Sequence, residues 1–213
     1  MSIPFLFQEV SQSDISSIEM NKKTEENIKA CPVCESHNII FHSTYRNNNN
    51  IFNNLNKFIC KNCDLVFSLP MPKKKELEAY NLSYHKNAHG GHKRDIKLEA
   101  FFRGIAKCRI HTLETNIKIR HDESLKVLEI GPGPGVFAKE WLDKYQSTIY
   151  HAIETDELVH ESLKRLGIKL VKDSDLKVNE SFYDLIIISH VLEHVLCPTS
   201  YIDNLLSYTK VGG

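Results

Sequence analysis

The chain has 213 residues, with 27 Lys and Arg against 27 Asp and Glu, 41% apolar residues and 25% charged residues. That length suits one α/β domain plus a small module, the neutral balance argues against a strongly basic nucleic-acid binder, and the ordinary charged fraction argues against wholesale disorder. No apolar run approaches the roughly 20 residues of a membrane helix and the first seven residues lack the basic start and length of a signal peptide, so a soluble, cytoplasmic protein with reduced cysteines is expected.

Residues 1–29 are polar, rich in Ser, Glu and Lys, and without a sustained period, which reads as a loose N-terminal arm. Residues 30–72 differ. Cys31-Pro-Val-Cys34 and Cys60-Lys-Asn-Cys63 stand 25 residues apart around an Asn-rich loop at 47–50. Leu65–Phe67 then reads as a strand, and Pro70-Met-Pro72 ends the module. Two thiolate pairs supply the four soft ligands that Zn2+ takes in a tetrahedron, so Cys31, Cys34, Cys60 and Cys63 read as a structural zinc ribbon. The competing reading is two unrelated Cys pairs. The gap exceeds the usual spacing of roughly 15 to 20 residues, and the Asn-rich loop absorbs the excess. With four cysteines present, His37 and His42 read as bystanders. Cys108 and Cys197 read as half-buried thiols. The ribbon lacks a basic, aromatic-studded face, so it reads as a brace for a pocket rather than a grip on nucleic acid.

Residues 73–124 form a basic linker or lid and a long helix. From 73 to 120 there are 12 Lys and Arg against 5 Asp and Glu. The linker carries Tyr84, His85, His89 and His92. From Asp95 to about Arg120, apolar residues recur at threes and fours, which predicts one amphipathic helix with a wet basic face.

From 125 to 213 strands and helices alternate. Strands are expected at Lys126–Ile130, Thr148–Ile153, Ile168–Val171 and Asp184–Ser189. Helices are expected after the glycine loop through Trp141, near Glu157–Leu166 and from Pro198 to about Tyr208. This predicts a doubly wound, mostly parallel Rossmann-like sheet. Leu185-Ile-Ile-Ile188 is apolar throughout, as in a strand buried on both faces. A bare edge there would be a liability, so either a domain continuing beyond strand 4 and its helix, or another element covering that edge, is expected.

Val127-Leu-Glu-Ile-Gly-Pro-Gly-Pro-Gly-Val136 carries most of the chemistry. A strand runs into Gly131, Gly133 and Gly135 and then into a helix, a pattern that lets backbone approach a ligand. Glu154, 19 residues after Gly135 at the end of the next strand, is placed to accept ribose hydroxyls. Gly133-x-Gly135-x-x-Ala138 also satisfies a dinucleotide fingerprint. Against that, Pro132 and Pro134 remove backbone donors that a pyrophosphate needs. Glu129, beneath the loop, suits a cationic ligand or the loop N–H groups. S-adenosylmethionine (SAM) has no phosphate and fits these points better.

These residues resemble the first motif of the class I SAM-dependent methyltransferases. Glu154 matches their ribose acid, and Phe182-Tyr-Asp-Leu-Ile-Ile-Ile-Ser-His190-Val-Leu-Glu193-His194-Val resembles their fourth-strand motif. Lys210-Val-Gly-Gly213 resembles the turn before their fifth strand, with Val211 in place of proline. The N-terminal half is similar to a subgroup with a zinc ribbon ahead of that domain, with Asp64 where the subgroup has glycine. The resemblance implies a SAM-dependent methyltransferase acting on a small-molecule acceptor, such as a sugar or nucleotide sugar made for surface polysaccharide. By the same resemblance Tyr84 reaches the SAM carboxylate or the acceptor.

Methyl transfer is mainly a matter of alignment, with a base needed for hydroxyl or carbon acceptors. His190, after strand 4, is the first candidate to line the pocket and act as base. His194, one helical turn later, reads as a residue hydrogen-bonded to the sheet. Asp173 is the candidate for the adenine amino group, with Asp175 as its competitor; either also suits a turn cap. The alternatives are an RNA methyltransferase that grips RNA with the ribbon, favoured by the basic surplus at 73–120, and a SAM-binding module without catalysis.

Overall fold

A computed structural model of the chain describes residues 30–45, 52, 55–82, 96–117, 119, 124–176 and 181–212. The expected arm at 1–29 and the linker residues Tyr84, His85, His89 and His92 lie outside the described residues. The chain divides into two compact units. One comprises the residues up to Gly90 with His194–Asp203, the other Gly91–Glu193 with Asn204–Gly213.

The first unit holds a three-stranded antiparallel sheet of β1 (Ile39–Thr44), β2 (Asn56–Cys60) and β3 (Val66–Leu69), in that order. Ile39 lies opposite Cys60, and Phe41, Phe58 and Phe67 form a cross-strand row. Alternation puts these on one face. Cys31, Cys60 and Phe67 are buried there, with Ile39, Phe58, Leu65 and Leu69 packed around them. The strand expected at Leu65–Phe67 starts one residue later and reaches Leu69, because its ladder with β2 continues to Asn56. The basic stretch after Pro72 opens with a helix that its polar sequence did not suggest, α1 (Lys74–Leu82). The Lys73 N–H donates to Glu76 Oε2 at 3.0 Å, which satisfies one orphan donor of the first turn.

In the second unit, α2 (Ile96–Asn116) realises the long helix, whose expected ends Asp95 and Arg120 lie outside the described residues. There follow β4 (Lys126–Ile130), α3 (Val136–Lys144), β5 (Ile149–Ile153), α4 (Glu157–Arg165), β6 (Lys169–Leu170), α5 (Asp173–Leu176) and β7 (Leu185–Ile188). The chain then passes through a 3-10 turn at Leu192–His194 and α6 (Pro198–Leu206), whose residues up to Asp203 belong to the first unit. The four strands are parallel in the order β6-β5-β4-β7. Alternating strands and helices on a parallel sheet make this an α/β fold of the expected kind. Strands 2, 3 and 4 of the sheet are shorter than expected, because a ladder ends where its partner does. β7, for example, pairs with β4 only from Leu185 to Ile188.

The register puts Val127, Glu129, Tyr150, Ala152, Leu185 and Ile187 on one sheet face. Ala106 and Ile110 of α2, Phe137, Ala138 and Trp141 of α3, and Val159 and Leu163 of α4 complete the core with that face. Burial of each large side chain contributes about 1.5–3 kcal/mol. Glu140 on α3 is also buried. It accepts from Arg103 Nε at 2.5 Å and lies 3.7 Å from Lys107 Nζ. No described helix is long and apolar enough to cross a membrane.

Candidate functional site

Strand order reverses at β4, which has β5 and β6 on one side and β7 on the other. In such sheets ligands bind beyond the carboxyl ends of the strands at that point. The loop after β4 carries Gly131, Gly133 and Gly135, and the loop after β7 carries His190. The two loops touch: Val191 Cγ2 lies 3.2 Å from where a Cβ on Gly131 would stand.

The loop is tied down from within. The Gly131 N–H donates to Ile153 O at 2.9 Å and the Gly135 N–H to Pro132 O at 3.1 Å. The Gly133 N–H donates to Glu154 Oε2 at 2.8 Å. Pro132 and Pro134 have no N–H. All three N–H groups of 131–135 are therefore occupied within the protein. Gly135 caps α3 at φ +79°, and a Cβ there would stand 2.8 Å from Leu163 Cδ2 and 3.0 Å from Leu166 Cδ1, so the position requires glycine. Gly133 also has positive φ, but its missing Cβ would face open space.

Glu154, just past β5, also takes the Asp156 N–H on Oε1 at 2.7 Å. Each of its oxygens keeps a second lone pair for a further donor. Asp156 in turn caps α4 through the Leu158 N–H at 2.9 Å, and His160 Nε2 bonds Glu154 O at 2.9 Å. These bonds fix the turn that aims Glu154.

Glu129 is 4% exposed and accepts from the Tyr150 hydroxyl at 2.7 Å. Of the two roles read for it, serving the loop N–H groups is corrected: Glu154 takes the Gly133 donor. Burial pushes the Glu129 carboxyl up to about 7, against the pull of Tyr150 and Arg109. Burial likewise raises the Tyr150 phenol well above its ordinary value, with the Glu129 charge adding to it.

His190 adopts a left-handed backbone, φ +56°. Its Nε2 lies 2.9 Å from Arg109 Nη2 and its Nδ1 3.4 Å from Glu193 Oε1. His194 ends a 3-10 turn and not a further turn of α-helix, which corrects that expectation. Asp173 opens α5, and its side chain lies outside the described residues. Asp175 caps that turn, accepting the Lys172 N–H at 2.9 Å. Three residues of this neighbourhood escaped sequence reasoning: Arg109, Tyr150 and His160. Tyr150 was within reach, since strand parity places it on the Glu129 face. Arg109 sits 81 residues from His190 and carried no local signal.

Among the described residues, one group suits a metal. The Sγ atoms of Cys31, Cys34, Cys60 and Cys63 all lie within 4.8 Å of one another. The Cys31–Cys63 and Cys34–Cys60 separations are 3.6 and 3.5 Å. A tetrahedron with Zn–S bonds of about 2.3 Å has edges of about 3.8 Å, so the donor set and its size fit zinc. Cys108 and Cys197 are exposed, not half-buried as expected.

Comparison with known proteins bears on the C-terminal half of the chain. No curated protein matches the chain. Among solved structures it is similar to a SAM-dependent methyltransferase from Aquifex aeolicus, at 16% identity and TM-score 0.39, over 49% of this chain and 58% of that one. It is also similar to a SAM-dependent methyltransferase from Archaeoglobus fulgidus, at 19% identity and TM-score 0.41, over 62% and 54%. A third is coclaurine N-methyltransferase bound to N-methylheliamine and SAH, at 17% identity and TM-score 0.39, over 56% and 35%. The chain thus spans less than two thirds of the length of each. A family model described as a methyltransferase domain matches residues 100–213, more than half of the sequence. The chain belongs to that methyltransferase domain family.

Proposed function

We propose that the protein is a SAM-dependent methyltransferase acting on a small-molecule acceptor. One observation carries this reading beyond family membership. The loop at the switch point has no backbone N–H left for a phosphate, since those of Gly131, Gly133 and Gly135 are occupied and two prolines have none. A pyrophosphate cofactor draws on such loop donors together with the first N–H groups of the following helix, and here only the first turn of α3 is left to supply them; a sulfonium nucleoside needs neither. SAM, when bound, supplies an electrophilic methyl group. Glu154 would accept the ribose hydroxyls through its remaining lone pairs. Gly133 leaves space for the ligand to lie against the loop, and the buried Glu129, raised to about 7 by burial, would be drawn to its charged form by the ligand's cationic end. Asp173 is the candidate to meet the adenine amino group. His190 is the candidate to hold an acceptor's proton. Cys31, Cys34, Cys60 and Cys63 would hold a structural zinc that supplies folding energy to a small module. A sugar or nucleotide-sugar acceptor is what the resemblance to the zinc-ribbon subgroup implies, carried by the order of ribbon, Pro-Met-Pro and methyltransferase motifs along the sequence.

The test is calorimetric titration with SAM and S-adenosylhomocysteine. The wild-type chain should bind both. Gly133→Arg fills the space over the loop and Glu154→Ala removes the ribose acceptor, so each should abolish or greatly weaken binding. A folded protein that binds neither compound would sink the proposal.

A further inference from the structure

Beside the glycine loop lies a charged group that cofactor binding does not use. Arg109, in α2, reaches His190 Nε2 with Nη2 at 2.9 Å. A guanidinium has no acceptor, so it donates and Nε2 accepts. That bond puts the imidazole proton on Nδ1, which faces Glu193 Oε1 at 3.4 Å on the far side of the ring. The His190 side chain is 72% exposed. Its left-handed backbone costs about 1 kcal/mol, a strain of the kind that concentrates at functional sites. Among the described residues Arg109 forms no ion pair with a carboxylate, although it acts on the buried Glu129 from a distance. A permanently charged fork is thus held by one neutral imidazole, open to solvent, at the carboxyl ends of β4 and β7. A carboxylate or phosphate is the stronger, bidentate match for a guanidinium.

We infer that Arg109 receives an oxyanion carried by the methyl acceptor and, in turning to it, frees the Nε2 lone pair of His190. This rests on the methyltransferase reading of the same site. It narrows the acceptor to an acid, a carboxylate or phosphate ester, whose nucleophile lies beside that group.

Nitrogen-15 NMR of the histidine rings tests it, with His190→Gln used to assign the signal. Inorganic phosphate and acetate are titrated separately, and S-adenosylhomocysteine binding is measured by calorimetry on the same sample. Phosphate or acetate should shift the Nε2 resonance of His190. Arg109→Gln should weaken that response roughly tenfold or more, as expected for loss of a charge-assisted pair. Arg109→Lys keeps the charge but loses the fork, and should retain part of it. A stronger response to phosphate points to a phosphorylated acceptor, and one to acetate points to a carboxylic acid. A His190 ring unmoved by both anions in protein that binds S-adenosylhomocysteine overturns the inference while the methyltransferase reading stands. An undiminished response in folded Arg109→Gln also overturns it. An anion response without S-adenosylhomocysteine binding overturns the assignment to a methyl acceptor, because the reading beneath it has failed.

Discussion

Glu129 offers the most quantitative test of how this site is built. Its carboxyl is 4% exposed, and burial raises it from 4.5 to about 7. The native protein therefore holds this proton more tightly than the unfolded chain does. The stabilising contribution is intact below pH 4.5 and is lost as the pH rises through about 7. At 1.36 kcal/mol per pH unit, the loss amounts to about 3 kcal/mol once the group is charged. Glu129→Gln keeps the shape and the acceptor for the Tyr150 hydroxyl but cannot ionise. The variant should exceed wild type in stability by about 3 kcal/mol at pH 8 and by only about 1 kcal/mol at pH 5. Urea unfolding followed by the fluorescence of Trp141, the single and fully buried tryptophan of the same core, reports the difference directly. An advantage that does not grow with pH would refute the reasoning, because a neutral native carboxyl predicts no other trend.

Three further outcomes follow from the same structure. Gly135→Ala must force a Cβ into Leu163 and Leu166 at positive φ, and should lower stability by about 1–3 kcal/mol in a denaturant titration. Among the described residues Arg103→Met leaves the buried Glu140 carboxylate with only the longer contact to Lys107; a loss of about 1–3 kcal/mol is expected, with Glu140→Gln in the same chain recovering part of it. Metal analysis of the purified protein should find one zinc per chain, and Cys60→Ser should lose it together with the circular dichroism of the three-stranded sheet.

Much of the second unit could be read from the sequence because local pattern and global packing agree there. Lys126–Ile130 is a strand in both, and the glycine loop leads into a helix in both. The ends of β5, β6 and β7 could not be read, since they depend on how far each neighbour extends. α1 was hidden because Lys74–Leu82 has too few apolar residues for a visible period, and its start depends on the Lys73–Glu76 contact. In the candidate site, glycines and Glu154 announce themselves by spacing along one strand-loop-helix unit. Arg109 does not: on a helix it looks like any wet basic residue, and only the tertiary placement of α2 brings it to His190. The occupation of each loop N–H was equally beyond reach, since it depends on the β5 carbonyl and on the rotamer of Glu154.

The two cysteine knuckles carry matching backbone, each followed at once by a left-handed residue, Glu35 at φ +57° and Asp64 at φ +58°. Neither is glycine; Glu35 forfeits about 1 kcal/mol relative to one, and Asp64, whose short side chain tolerates this conformation, forfeits less. The small module is thus less stable than its own topology permits. That makes it a ready target for engineering: Glu35→Gly with Asp64→Gly would firm the ribbon without touching a ligand, a strand or the core.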